Sequence, residues 1–341
     1  MVEILREAVD EGCVWKAAHH KEPSEWTFNF NTTQLNELEA AAHSVLAAGK
    51  SSVGFSREDF RVPLLSADLE ELLNILENGR GFVFLRGLDV ERFDRKMLQT
   101  IYWGICMHLG FGISQNANGE LMSAVTDYRD PFDGDPYLHN IRLHRTTHEI
   151  HPHTDSCDYV ALLCENPARM GGKSTIVSSL ALYNEILATH PEYLRPLCKG
   201  FYLDLVGKGT TEKEISFHRI PVYSYFGGKM SARFNKRQIE LGAEKASGGL
   251  DSLAQAAIDY VRELSERDEF RLSMEFQSGD IQILNNRVIF HSREAFEDYQ
   301  EPERKRLLWR IWLNAIEPRS MAPAFANQLN TGVRGGVTAR A

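Results

Sequence analysis

The sequence predicts an α+β protein whose core is a β-barrel or jelly roll, and three observations carry that expectation. Past Gly112 the chain breaks into short runs of β-type residues separated by Gly, Pro, Asn and Asp, the pattern of many short strands. Before Gly112, amphipathic segments with apolar residues at helical spacing surround one short apolar run, so the front third is mixed α/β. Near the far end, short apolar runs return in close succession at 271–276, 281–284, 288–291 and 306–313.

Taken in order, residues 1–32 hold Trp15, Trp26, Phe28 and Phe30 without a clear period and read as an irregular arm packed on the body. Thr32 and Thr33 resemble a helix cap, after which Leu35, Leu38, Ala41, Ala42 and Leu46 recur at helical spacing until Gly49 stops them. Further helices are expected over 67–77 and 95–109, with a buried strand at 81–87 between them. Residues 113–119 and 130–136 read as β-type runs and turns. An apolar strand at 159–164, a turn at 166–172 carrying Gly171 and Gly172, and a strand at 174–177 read as a hairpin. Ser178 or Ser179 caps a helix over 180–189 that Pro191 ends. A second hairpin, broken by Gly227 and Gly228, is expected over 222–234, and an inserted amphipathic helix over 253–266. Three strands joined by two tight turns follow, then the strand at 306–313. Beyond Pro318 the Gly- and Ala-rich tail reads as mobile.

Composition narrows the class. With 341 residues, 43% hydrophobic and 25% charged, the chain has enough apolar surface for one large core and no bias towards disorder. A net charge of −9 and no dense Lys/Arg cluster argue against nucleic acid as a partner. Five scattered cysteines without a CxxC pair fit a reducing, cytoplasmic setting better than a disulfide framework. The first residues lack the basic start and apolar run of a secretory signal, and no stretch has the length of a membrane span, so neither export nor membrane association is expected. A homo-oligomer is left open.

One short stretch carries metal chemistry. In His151-Pro152-His153-Thr154-Asp155-Ser156, an extended backbone would point His153 and Asp155 the same way, so an imidazole nitrogen and a carboxylate oxygen could meet on one ion. A second histidine would complete the two-histidine, one-carboxylate facial set that holds non-haem Fe(II) and leaves other positions open. His291, at the end of an apolar run, is well placed to supply it.

These pieces, together with Gly171-Gly172-Lys173-Ser174, Gly279-Asp280, Asn285-Asn286, His291-Ser292-Arg293 and Arg306-Leu307-Leu308-Trp309-Arg310, resemble the Fe(II)/2-oxoglutarate-dependent dioxygenases of the taurine dioxygenase and 2,4-dichlorophenoxyacetate dioxygenase family. The spacing supports it, with a histidine 138 residues on, from 153 to 291, and an arginine 15 further, at 306. The resemblance runs from about 112 to 313. It implies a double-stranded β-helix (jelly-roll) core with flanking helices, in a single catalytic domain spanning 1–341. Residues 1–110 would pack on the barrel, 111–318 would form the core with its helical insertion, and 319–341 would be a tail.

The resemblance also implies the roles. His153, Asp155 and His291 would bind Fe(II), and the remaining positive charge would welcome 2-oxoglutarate as an anionic chelator. Arg306 would grip the far carboxylate of that co-substrate with its planar fork, and Ser174 would donate to the same group. O2 would then drive oxidation, most simply hydroxylation of an unactivated C–H bond in a small organic substrate, with release of succinate and CO2. Desaturation, cyclisation and epoxidation are alternatives on the same cofactors. A non-catalytic ligand-binding barrel and a zinc hydrolase are alternatives of other classes, since zinc accepts the same ligands. Arg310, four residues beyond Arg306 on a strand and so on the same face, would bind an anionic group of the substrate. Gln115, Asn116 and Asn118 are further candidates for the pocket wall.

Other conspicuous residues have plainer readings. His151 is expected to make a packing or polar contact, and His144 and His148 to be ordinary. Cys157 reads as a small buried hydrophobe. Trp309 and Trp312 are expected to pack outward against helices. Arg293, Glu294, Glu297 and Asp298 are expected to be loop charges that pair with Arg304 or Lys305.

Overall fold

Two β-sheets share one apolar core in the computed structural model, which describes residues 4–129, 143–205 and 214–339. The 130–136 run lies outside the described residues. The front of the chain supplies β1 (Thr27–Asn29), α1 (Thr32–Ala47), α2 (Ser66–Glu77), β2 (Phe82–Arg86) and α3 (Arg95–Leu109). Next come β3 (Gly110–Ile113), β4 (Met122–Val125), β5 (Ile150–His153), β6 (Tyr159–Asn166), β7 (Met170–Gly171) and β8 (Ser174–Ser178). An excursion follows through α4 (Ser179–Thr189), α5 (Leu194–Lys199), the hairpin β9 (Tyr223–Phe226) and β10 (Lys229–Ala232), α6 (Lys236–Ser247) and α7 (Ser252–Glu266). The chain closes with β11 (Leu272–Met274), β12 (Ile281–Asn285), β13 (Ile289–Arg293), β14 (Phe296–Glu297), β15 (Leu307–Ala315) and α8 (Pro323–Ala326).

The larger sheet has the order β1-β2-β12-β6-β15-β3, with β4 also paired to β15; the smaller has the order β11-β8-β13-β5. Alternation along the strands explains why they read as continuous apolar runs. Tyr159, Ala161 and Leu163 of β6, Ile281 and Ile283 of β12, and Ile311 and Leu313 of β15 join the cluster built by α1, α2 and α3. Their neighbours Val160, Cys164, Leu284, Leu308 and Trp312 join the inner cluster with Ile176 and Phe290 of the smaller sheet. The inner strands β2, β6, β12 and β15 are therefore buried on both faces, worth about 1.5–3 kcal/mol for every large aliphatic side chain.

Several expectations need correction. The runs at 159–164 and 174–177 are not a hairpin: β6 lies between β12 and β15 in the larger sheet, β8 between β11 and β13 in the smaller. Strands apolar on both faces each need two neighbours, and the glycine turn carries the chain from one sheet to the other. β11, β12 and β13 likewise alternate between sheets, so their tight turns are crossings. The α1 cap is Asn31, whose side chain accepts from Gln34 N at 3.0 Å while Gln34 Oε1 accepts from Asn31 N at 3.0 Å. The tail is not loose over its described part. Phe325, Leu329 and Val337 are buried in the inner core, and Arg334 Nε donates to Asp158 Oδ2 at 2.7 Å. The front arm does pack, through buried Val9, Cys13, Trp15 and Trp26. α6 was not foreseen, because only Ile239, Gly242 and Ala243 of its residues are buried and the apolar stripe is thin.

Asp158 ties these parts together. Arg287 reaches its Oδ1 at 3.0 and 2.8 Å, and the Ala315 amide and Arg334 reach Oδ2. Burial alone would raise this carboxyl, but the two guanidiniums outweigh it and hold the group below the usual carboxylate range. Among the described residues no helix is long and apolar enough to cross a membrane.

Candidate metal centre

The antiparallel pairing of β5 with β13 sets His153 directly opposite His291, with ring centroids 4.3 Å apart. Residues facing each other across such a pair have close Cβ atoms, so the register alone brings together two imidazoles 138 residues apart in sequence. Asp155 joins them, although not by strand alternation as expected, because β5 stops at His153. The carboxylate sits on the crossing between sheets, where backbone bonds fix it. Thr154 N donates to Phe234 O at 2.7 Å, and Asp155 N donates to Asn286 Oδ1 at 3.3 Å. Fully buried Arg233 clamps the same residue, reaching Thr154 O at 3.3 Å and Oγ1 at 3.2 Å. One donor atom from each of His153, Asp155 and His291 lies within 4.8 Å of the others.

The protonation states suit a cation. His153 Nδ1 lies 2.9 Å from the His151 carbonyl, which can only accept, so Nδ1 carries a proton and Nε2 is the nitrogen left to face a metal. Burial, and next the neighbouring His153, pull His291 down to about 3, with Asp155 opposing, so this imidazole is neutral. Asp155 Oδ2 accepts from the Trp312 indole at 2.9 Å and lies 3.5 Å from Arg310 Nη1. Two imidazole nitrogens and one oriented carboxylate form the set that a facial Fe(II) site uses. His153, Asp155 and His291 are thus brought together as expected.

Trp312 corrects the reading that both strand tryptophans face outward. Positions 309 and 312 are an odd number apart, so alternation sends them to opposite faces. Trp309 is on the helix side, its Nε1 donating to Glu165 at 2.7 Å, whereas Trp312 is buried inside with Arg310 over its ring. Arg310 Nε donates to Gln115 Oε1 at 2.8 Å, and Ser123 braces the same oxygen at 3.0 Å. Gln115 is therefore placed beside Arg310. Asn116 does not join it: its Oδ1 accepts from the Asn118 amide at 3.0 Å and its amide donates to Glu120, closing a local turn that also contains Asn118.

Arg306 is 4% exposed, and its Nη1 is buried with no hydrogen-bond partner among the described residues. Burial pulls the guanidinium down to about 10. It lies 5.0 Å from the Phe296 ring, and its own amide donates to Asp298 Oδ1 at 2.7 Å. Gly172, at φ +73, makes room: a Cβ there would stand 3.3 Å from Arg306 Nε. Ser174 is on β8 with its hydroxyl donating to Gln282 at 3.0 Å. Arg293 is no loop charge. It is buried at the end of β13, donates to the Thr146 and His148 carbonyls, and lies over the same Phe296 ring at 4.8 Å. Glu297 pairs with Arg169, and Arg304 stacks on Tyr299 at 3.9 Å, because β14 and its turn place them there. His151 faces Arg262 of α7, and Cys157 is a buried thiol accepting from Asn286, both as expected. Sequence reasoning missed Arg233 as a clamp and Trp312 as a donor; only strand parity could have signalled the latter.

Comparison with known proteins agrees with this geometry. The family model described as "Taurine catabolism dioxygenase TauD, TfdA family" matches residues 46–312. The chain is 29% identical over 331 residues to the FR-33289 synthase of Streptomyces rubellomurinus (strain ATCC 31215), covering 96% of each chain. It is similar in fold to an asparagine oxygenase solved with Fe(II), (2S,3S)-3-hydroxyasparagine and succinate, at a TM-score of 0.64, 14% identity, and coverage of 85% of this chain and 93% of that one. It is also similar in fold to the non-heme iron oxygenase OrfP solved with Fe and alpha-ketoglutaric acid, at a TM-score of 0.59, 13% identity, and coverage of 92% and 99%.

Proposed function

The chain belongs to the taurine catabolism dioxygenase TauD, TfdA family and is an Fe(II)- and 2-oxoglutarate-dependent oxygenase, and from that premise we propose that it hydroxylates an unactivated C–H bond of a small organic acid. The observation that carries the reading is the convergence of His153, Asp155 and His291 within 4.8 Å on the inner side of the jelly roll. Bound iron and 2-oxoglutarate supply the oxidant: one oxygen atom of O2 goes to succinate, formed with CO2, and the other to the substrate.

The protein's part is to hold and orient. Arg306 takes the far carboxylate of 2-oxoglutarate, since its buried, unpartnered Nη1 is a donor in need of an acceptor. Ser174, on β8 opposite Arg293 of β13, donates to the same carboxylate once its hydroxyl turns from Gln282. Arg310 binds the substrate's anionic group, a carboxylate or sulfonate, with Gln115 fixing its plane. The asparagine oxygenase carries a hydroxylated amino acid in its complex, and a substrate of that size and charge suits the Arg310 position.

The test is an anaerobic titration of metal-free protein with Fe(II) and then 2-oxoglutarate, following the visible metal-to-ligand charge-transfer band. The expected result is a band in the wild type that is lost in Arg306→Ala at limiting co-substrate. A screen of organic acids by succinate release then finds the substrate, whose product gains one oxygen atom. No band, with zinc tightly held, would overturn the oxygenase site; a product short of two hydrogens would replace hydroxylation with desaturation.

A further inference from the structure

We infer that Trp312 is a positioning residue for the iron ligand Asp155, using its indole N–H to hold one carboxylate oxygen so that the other is presented to the metal. The inference rests on the triad proposed above. The Trp312 Nε1 to Asp155 Oδ2 distance is 2.9 Å, with the two residues 1% and 8% exposed, so water competes little for either partner. The carboxylate is the only one of the three ligands carried outside a β-strand, and so the one whose orientation the sheet does not set. Its backbone is fixed through Thr154 and Asn286, but those bonds leave its side-chain torsions open. The indole closes that freedom from β15, a strand locked between β6 and β3.

Arg310 strengthens the arrangement. Its Nη1 approaches the same Oδ2 at 3.5 Å, and its guanidinium lies 5.1 Å from the Trp312 ring. A substrate anion drawing on Arg310 would loosen that contact, leaving the indole as the constant restraint on the ligand. Hydrogen bonds to metal-bound carboxylates orient them, and losing such a partner typically weakens metal binding by about 10–100-fold. Trp309, three residues away, provides an internal control: its indole also donates to a carboxylate, Glu165, but on the helix side of the sheet.

The experiment measures Mn(II) binding to metal-free protein by the disappearance of the free-ion EPR signal, without turnover. Trp312→Phe keeps the aromatic filling and removes only the donor. The expected result is a Kd raised about 10–100-fold in Trp312→Phe, an unchanged Kd in Trp309→Phe, and no measurable binding in His291→Ala. Wild-type affinity in Trp312→Phe, alongside lost binding in His291→Ala, overturns the inference alone; retained binding in His291→Ala overturns the triad itself. If Trp312→Phe does not fold, the wild type labelled with 15N-tryptophan decides. Zn(II) should move one of the five indole N–H resonances, and no movement overturns the role of the indole.

Discussion

Replacing Arg306 by methionine should weaken 2-oxoglutarate binding about a hundredfold while leaving the free protein at least as stable. The guanidinium is 4% exposed and held down to about 10 by burial, a depression worth about 3 kcal/mol. That cost is present before any ligand arrives, because Nη1 finds no acceptor among the described residues and Asp298 bonds the Arg306 backbone instead. A carboxylate placed against the fork offsets it. Truncating one side of such a buried charged pair costs about 2–5 kcal/mol, and 3 kcal/mol corresponds to about a hundredfold in Kd. Methionine fills the stem's volume but brings no charge, so the free protein loses a desolvated cation and its Tm should hold or rise. The assay is calorimetric titration of Mn(II)-loaded protein with 2-oxoglutarate, with Arg306→Lys, charged but without the fork, expected to fall between. An unchanged Kd in Arg306→Met would refute the reasoning, as would a large loss of Tm, which would make the residue structural.

Asp158→Asn should cost about 3–5 kcal/mol, since it leaves Arg287, 3% exposed, buried without its anion; urea unfolding followed by fluorescence measures it. Because the folded carboxyl is held below its usual range, its stabilisation is fully present above about pH 4 and is lost as pH falls through the folded value, so the gap between wild type and variant should close in acid. Gln115→Leu should raise the substrate KM with little change in 2-oxoglutarate affinity, because it frees the plane of Arg310 without touching Arg306; steady-state kinetics with each substrate varied separates the two. All five cysteines are buried, and burial pushes the thiols of Cys13, Cys164 and Cys198 up to about 12, so the native protein should resist a thiol reagent at pH 8 until denaturant is added. Rapid labelling of the native state would contradict that burial.

The strands were legible in the sequence because their apolar runs are short and bounded by turn residues, but their partners were not. A strand buried on both faces looks the same whichever sheet it joins, so β6 and β8 read as a hairpin although each pairs elsewhere. The triad was legible as residue types in order. Its geometry was only half so: His153 meets His291 through sheet register, whereas Asp155 is held by Asn286 and Trp312, and its neighbour Thr154 by Phe234, which no local pattern links to it. Arg293 was misread because a charged residue next to a loop is usually solvated, and this one is turned inward to the carbonyls of residues 146 and 148. Asn116 and Asn118 were chosen for polarity, yet polarity at a turn serves the turn first.

The lock at Asp158 has a bearing on the order of synthesis. His153 and Asp155 leave the ribosome early, His291 much later, and Arg334, whose side chain grips the carboxylate three residues beyond Asp155, later still. A nascent chain that has just exposed its second histidine thus owns every iron ligand but not the clasp behind them. A fusion or truncation that keeps Arg334 from docking would therefore leave Asp158 to Arg287 and the Ala315 amide alone.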